Sequence, residues 1–329
     1  MIITQTPLRI SLSGGGTDLA NYYNEHEGFV VSTAIDKYIY VIVKERFDDL
    51  IYIDYSNKEI VSSISEIKHD LVREAAKLTG ITNGFEVMMF ADIPSEGSGL
   101  GSSSSLTVGL LHAFYQYLGK LVTAEQLALE SCKIEIEILN RPIGKQDQYI
   151  ASFGGLRTFR FCKDGSVEVK PINIESDPKR KLGSNLLLFF TDTTRKAASI
   201  LEEQNKNILS KLEFHHKIKE LAFDTVDSLN SLDINRVGEN LKINWEMKKQ
   251  LASNVTNPEI DKMYDLAMEG GALGAKISGA GGGGFLLVYC ERDKQDSLRR
   301  SLREYRELPF LLEKYGSKII FDQTRYDIK

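Results

Sequence analysis

Pro94-Ser95-Glu96-Gly97-Ser98-Gly99-Leu100-Gly101-Ser102-Ser103-Ser104-Ser105-Leu106 is the stretch around which the rest of the chain is organised. It follows the apolar run Phe85-Glu-Val-Met-Met-Phe90, short enough to read as a strand. It precedes apolar residues at Leu106, Leu110, Leu111, Phe114 and Leu118, a helical spacing that stops at Gly119. The glycines and serines therefore sit in a strand-to-helix loop. Glycine lets bare backbone N–H groups approach a ligand, a helix N-terminus adds partial positive charge, and serine hydroxyls add donors and ligands for a hard metal. The loop reads as a phosphate cradle, with a flexible Gly/Ser turn as the alternative. No Gly-Lys-Ser/Thr closes it and the Gly-x-Gly-x-x-Gly dinucleotide spacing is absent, so it is neither a Walker loop nor a Rossmann turn.

The 329 residues suffice for one large or two ordinary domains, and 42% hydrophobic with 26% charged residues is a globular balance. A net charge of −5 gives no support for nucleic acid as a partner, and it requires any anionic substrate to be held by locally placed cations. Cys132, Cys162 and Cys290 are odd in number and widely spaced, which fits reduced thiols and no zinc knuckle. The opening Met1–Arg9 lacks the basic region and apolar core of a signal peptide, and no apolar run approaches the roughly 20 residues that span a bilayer. These features predict a cytoplasmic protein with no membrane partner, and leave a homo-oligomer open.

Upstream of the loop, Leu8, Ile10 and Leu12 alternate with Arg9, Ser11 and Ser13, a strand that places Arg9 opposite its apolar face. It runs into Gly14-Gly-Gly-Thr-Asp18, either a tight turn ending in an N-cap aspartate or part of a site, and then a short helix through Tyr22 and Tyr23. Phe29–Thr33, Tyr38–Lys44 and Leu50–Tyr55 read as three strands, and a helix is expected over about 65–78, ended by Gly80. Downstream, Thr123 opens a helix with Gln126 as a capping-box partner. Its apolar face is Leu127, Ala128, Ser131, Ile134, Ile138 and Leu139, and Glu135 falls inside that face. A carboxylate there is expensive unless paired or cation-bound, so Glu135 is either a buried salt-bridge partner or a metal ligand. After Pro142, Gly144-Lys-Gln-Asp-Gln places Asp147 near the start of another helix, where a dipole-stabilised acid is the local alternative to a catalytic one.

A hairpin over Leu156–Phe161 and Val167–Ile172 closes the first half, and the polar run Glu175–Lys181 is the expected boundary between domains at 1–180 and 181–329. A strand at Leu186–Phe190 and four helices at about 194–212, 214–230, 235–251 and 258–269 follow. Then Ala275-Lys-Ile-Ser-Gly-Ala-Gly-Gly-Gly-Gly-Phe285 places a glycine turn between two strands. So many glycines are entropically costly for a mere turn, which favours close backbone approach to a ligand. A helix near 293–304 and a strand near 318–321 end the chain.

Three of these runs resemble, in order, the three motifs of the GHMP kinases, the superfamily of galactokinase, homoserine kinase, mevalonate kinase and phosphomevalonate kinase. They are Pro7-Leu-Arg-Ile-Ser-Leu-Ser-Gly-Gly-Gly-Thr-Asp-Leu19, Pro94-x-x-Gly-x-Gly-Leu-Gly-Ser-Ser103 and Gly279-Ala-Gly-Gly-Gly-Gly284. The resemblance implies an α+β fold of two domains, the first ribosomal-protein-like and the second ferredoxin-like, with the active site between them. It implies ATP with Mg2+ as cofactors. Pro94, Gly97, Ser98, Gly99, Leu100, Gly101, Ser102, Ser103 and Ser104 would bind the triphosphate, Ser103 and Glu135 the metal. Asp147 would orient the attacking hydroxyl and accept its proton, with Arg9 offsetting charge on the transferring group.

Departures narrow the substrate. Galactokinases carry Gly-Glu-His-Thr-Asp where this chain has Gly14-Gly-Gly-Thr-Asp18, and mevalonate kinases place lysine at the position of Arg9. Ser-Gly-Gly-Gly-Thr-Asp, Gly-Lys-Gln-Asp-Gln-Tyr and Lys-Ile-Ser-Gly-Ala-Gly-Gly-Gly-Gly-Phe resemble instead the D-glycero-D-manno-heptose 7-phosphate kinases, with L-fucokinases next. A sugar phosphate is then the small-molecule partner, held by Thr17, Asp18, Gly281 and Gly282. Arg195, Lys196, Lys145 and Lys276 are the candidates for its phosphate. Arg195 is the first choice because it follows a strand and opens a helix; its alternative is a surface pair with Glu202 or Glu203. A non-catalytic sugar sensor and an ATP-dependent decarboxylase are the rival classes; retention of Asp147, Arg9 and the serine loop speaks against the first, and Asp18 with the heptose-kinase-like runs against the second.

Overall fold

The structure is a computed structural model describing residues 1–94, 97–193 and 197–323. The first sheet is built on β1 (Ile2–Ser13) and β2 (Gly28–Glu45), paired antiparallel along nearly their whole length and linked by α1 (Ala20–His26). The sequence reading split β2 into two strands at Asp36-Lys37. The structure keeps one strand, because pairing jumps from Pro7↔Tyr38 to Leu8↔Ile35 and leaves the two polar residues as a bulge. Their side chains pair with each other at 3.0 Å.

The long β2 then serves two neighbours. β3 (Ile51–Asp54) and β4 (Lys58–Val61) extend the sheet beyond β5 (Phe85–Ala91), which pairs with the second half of β2. The helix α2 (Asp70–Thr79) ends at Gly80 in the left-handed conformation, as expected. The helix α3 (Ser102–Tyr117) lies across β1 and β2. Gly109 permits the close approach: a Cβ there would stand 3.0 Å from Thr6 Oγ1 and 3.3 Å from Val41 Cγ2. Next, α4 (Ala124–Cys132) is capped by Thr123, which accepts from Gln126 N–H, and its last turns over 133–138 widen to a π-helix. The widened turn rotates Ile138 out to solvent, against the expected apolar face, while Glu135 stays buried as read. Then α5 (Gln146–Phe153) leads to β6 (Leu156–Phe161), which pairs with the first half of β2 and with β7 (Val167–Pro171).

The polar run at 175–181, expected as the domain boundary, forms the N-cap and first turns of α6 (Ser176–Asn185), a helix carried by charged residues on a solvated face. The second sheet has the order β8 (Leu186–Phe190), β10 (Phe285–Tyr289), β9 (Gly274–Ile277), all antiparallel. A bridge from Phe189 to Glu307 covers the outer side of β8. Helices α7 (Ala197–Asn207), α8 (Leu212–Asn230), α9 (Ile234–Lys248) and α10 (Pro258–Glu269) come between β8 and β9, and α11 (Gln295–Ser301) follows. The last strand, β11 (Lys318–Asp322), returns to the first sheet and pairs with β1. One apolar cluster runs through both sheets, joining Leu8, Ile10 and Val41 to Leu188, Leu241 and Leu287. The α9 helix meets β9 without side chains between them: a Cβ on Gly274 would fall 1.9 Å from the Gly238 carbonyl oxygen. This contact fixes α9 above the cleft. The three cysteines are free thiols, and among the described residues no helix is long and apolar enough to cross a membrane.

Candidate active site

The serine cluster is the first turn of α3, which begins four residues before the apolar spacing that announced it. Gly101 is its N-cap with φ +81°, and a Cβ there would stand 3.3 Å from Arg9 Cγ and 3.4 Å from Asp147 Oδ2. Only glycine lets the helix start pass so close to both side chains. The N–H groups of Ser102, Ser103 and Ser104 head the helix, where no preceding turn supplies carbonyls. Ser105 Oγ donates to Pro7 O at 2.8 Å and ties this turn to β1, while Ser98 and Ser102 share a hydrogen bond at 3.0 Å. Leu100 is buried in the core, and its carbonyl accepts the Arg9 N–H at 3.0 Å. Pro94 is exposed and outside the cavity.

Arg9 and Asp147 meet below the helix start. Arg9 Nε donates to Oδ1 at 2.7 Å and Nη2 to Oδ2 at 2.6 Å, and Nη1 reaches Gly99 O at 2.6 Å. The fork holds the carboxylate in one orientation, with the rest of it facing the cleft. Asp18 accepts from Gly16 N–H at 3.0 Å and from Gln146 N–H at 3.2 Å. Burial, reinforced by the neighbouring Asp147 charge, raises its pKa. Thr17 is not brought to the cavity: its hydroxyl donates to Gly14 O and Phe29 O and accepts from Phe29 N–H, locking the turn.

On the other side of the helix start, Glu135 is fully buried. Ser103 Oγ donates to it, Gln148 Nε2 donates at 2.8 Å, and Arg141 Nη1 at 3.2 Å. Burial raises its pKa, and these donors oppose the shift. Arg141 also donates to Ser103 Oγ at 2.6 Å and to Asp70 Oδ2 at 2.9 Å. Arg141 was absent from the sequence reading, though its position six residues past Glu135 and beside Pro142 offered a signal. A hydroxyl and a carboxylate side by side at a phosphate loop suit a Mg2+ that takes few protein oxygens, and Arg141 shares both. Among the described residues, no cluster of three histidine, cysteine or acidic side chains forms an all-protein metal site.

The expected basic residues divide. Lys276 is buried and lines the cavity, donating to Leu12 O at 3.2 Å. Lys145 points away, donating to Gly165 O at 2.7 Å and lying over the Tyr23 ring. Arg195 and Lys196 lie outside the described residues. Lys248, at the end of α9 and not anticipated, lines the cavity and donates to Ile277 O at 3.0 Å and to Gly279 O. The third glycine run lines the cavity at Gly279 and Ala280 and otherwise packs on protein backbone. A Cβ on Gly99 would stand 2.5 Å from Ser278 O, and one on Gly284 2.5 Å from Ser98 O, so the two glycine loops dock backbone to backbone. Gly281 packs on Val255, and Gly282 N–H donates to Val255 O at 2.8 Å; neither lines the cavity. The cleft holds about 390 Å³ and joins the helix start, Arg9 and Asp147 to Gly15, Asp18 and Gln146.

A glycine- and serine-rich helix start, a forked arginine–aspartate pair and the buried Asp18 line one cleft in a two-domain α+β fold, an arrangement that suits a small-molecule phosphotransferase. The chain belongs to the GHMP kinases, which use ATP as phosphoryl donor: residues 65–155 match the GHMP kinases N terminal domain and residues 225–307 the GHMP kinases C terminal region. Among individual proteins, it is similar to the D-glycero-alpha-D-manno-heptose 7-phosphate kinase of Campylobacter jejuni, 34% identical across 92% of this chain and 93% of that one. It is 26% identical to the galactokinase of Pyrococcus furiosus, over 92% and 93%. The crystal structure of a D-glycero-D-manno-heptose 1-phosphate kinase from Bacteroides thetaiotaomicron superposes with TM-score 0.83 at 26% identity, covering 98% of this chain and all of the other.

Proposed function

We propose that this kinase transfers the γ-phosphoryl group of ATP to the anomeric hydroxyl of D-glycero-D-manno-heptose 7-phosphate, giving the 1,7-bisphosphate, in the cytoplasm. The observation that carries the reading is the Arg9–Asp147 fork facing the head of α3. The Campylobacter relative's name supports the choice of sugar.

Phosphoryl transfer needs alignment and charge neutralisation more than covalent chemistry. Gly97, Gly99, Gly101 and the N–H groups of Ser102–Ser104 would cradle the triphosphate. Asp147 would accept the hydroxyl proton while Arg9 holds the carboxylate and faces the developing negative charge. Asp18, oriented by Gln146 and Gly16, would accept hydrogen bonds from sugar hydroxyls. Ser103 and Glu135 would hold Mg2+, which supplies charge neutralisation at the phosphates when bound. We place the domain division near residue 180, with β11 returning to the first unit.

ADP release with heptose 7-phosphate, unphosphorylated heptose, L-fucose and galactose tests this. The expected result is the highest kcat/KM for heptose 7-phosphate. A preference for L-fucose would replace the assignment with a fucokinase-like one, and ATP binding without ADP release on any sugar would leave a sensor.

A further inference from the structure

The cleft carries more positive charge than the triphosphate cradle explains. Lys248, on α9, and Lys276, on β9, are 9% and 3% exposed, and both line the cavity beside Arg9. Among the described residues each amine is held by backbone carbonyls: Ile277 O and Gly279 O for the first, Leu12 O for the second. Among the described residues, neither lysine pairs with a carboxylate, and Asp147 is already forked by Arg9. Tying a helix to two carbonyls needs only a neutral donor, whereas two lysines lining one cavity can each gain a proton and neutralise an anion that enters it. One turn before Lys248, Asn244 is 3% exposed, lines the same cavity, and leaves its Nδ2 without a partner among the described residues.

We propose that Lys248 and Lys276, with Asn244 Nδ2 beside them, form a second anion site in the cleft, separate from the head of α3, that seats the phosphomonoester dianion of the acceptor sugar. This rests on the acceptor being a sugar phosphate, as read above. The other source of the same chemistry is the γ-phosphoryl group of ATP. Burial and then the Arg9 charge pull the Lys248 amine down to about 7, and burial with the charges of Lys248 and Arg9 pulls Lys276 well below the ordinary lysine value. The charge that acts on both amines is Arg9 on β1; the other charged groups lining the same cavity are Asp18 in the turn after β1, Asp147 on α5 and Arg141 before α5. At pH 8 the Lys248 amine of the empty site is mostly uncharged, so an arriving dianion is bound together with a proton.

Titration calorimetry at pH 6 and pH 8, in buffers of different ionisation enthalpy, reads both affinity and proton uptake. The probes are heptose 7-phosphate, free heptose, ADP and a non-hydrolysable ATP analogue. At pH 8 we expect uptake approaching one proton for the phosphorylated sugar, less at pH 6, and essentially none for the free sugar. Lys248→Met should weaken heptose 7-phosphate by about 10–100-fold and leave free heptose and ADP within about twofold. Lys248→Gln keeps a neutral donor for the carbonyls and should bind the phosphorylated sugar as poorly. Restoration by glutamine, or equal weakening of both sugars, would reduce Lys248 to a tether and overturn the site. Loss confined to the ATP analogue would assign the pair to the donor phosphate instead. Should the wild-type protein not bind heptose 7-phosphate, the function reading fails separately and inorganic phosphate becomes the probe. Binding that Lys248→Met removes would then support the anion site, and no binding would end it.

Discussion

Two arginine–carboxylate pairs flank the first turn of α3, and they are built in opposite senses. In the Arg9–Asp147 pair the arginine is buried at 5% exposed and the acid, at 23%, faces the cleft. In the Arg141–Glu135 pair the acid is fully buried and the arginine is 28% exposed. Asp147 is gripped at both oxygens from one side and remains addressable from the other. Glu135 is surrounded by Ser103, Gln148 and Arg141. A carboxylate that must meet a substrate proton is oriented by a buried cation, whereas one that orders a helix start is enclosed. The contrast supports the proposed roles, proton acceptance for Asp147 and positioning, of a serine or of a metal, for Glu135.

The most severe way to break this contrast is to remove the addressable acid. Asp147→Asn should lower kcat by about 10²–10⁴-fold, the usual contribution of a positioned base, with nucleotide affinity within a few fold. Steady-state kinetics with nucleotide titration checks it, and near-wild-type kcat would remove Asp147 from the chemistry. The enclosed acid should matter through the metal. For Glu135→Gln, the Mg2+ concentration giving half-maximal rate should rise by about 10–100-fold, the range seen when a metal's supporting group is lost. Glu137→Gln, on the exposed face of the same turn, should change little. Superimposable magnesium titrations for the two variants would leave Glu135 a structural partner of Arg141 alone.

A lysine with no acid partner among the described residues sharpens the rule from the other side. Lys248 titrates near 7 in the folded protein and near 10.4 when unfolded, so between these values the unfolded chain binds the additional proton. Stability should therefore rise with pH from about 7 to 10, by at most about 1.4 kcal/mol per unit from this group. Chemical denaturation across that range should give a steeper rise for the wild type than for Lys248→Met. Parallel curves would mean the amine is charged in the empty cleft.

Much of this was legible because the motifs are local. Gly101 and the serines announce a crowded helix start, and Arg9, Asp18 and Asp147 each stand inside a short glycine-bearing run. What escaped depends on partners distant in the chain or on side-chain direction. Lys145 and Lys276 both adjoin motifs, yet only the second turns inward, since Lys145 finds the Gly165 carbonyl on the β6–β7 hairpin. Asn240, Asn244 and Lys248 follow a four-residue spacing on the same buried side of α9 as Val237, Leu241 and Trp245. That polar stripe among apolar neighbours was a readable signal, but its meaning depends on β9 and the cleft lying opposite. The third glycine run was read as approaching a ligand. Gly279 and Ala280 do line the cavity, but the run is also shaped by backbone contact with the glycine loop at 97–101, which spacing along one chain does not encode.

The central claim, a kinase that phosphorylates a heptose phosphate at its anomeric oxygen, is tested most directly by following ATP and heptose 7-phosphate in ³¹P and ¹H NMR. The account predicts ADP and a second sugar phosphate appearing one for one, with phosphorus coupled to the proton on C1. A new phosphate on any other carbon, or ADP formed with the sugar unchanged, would contradict it.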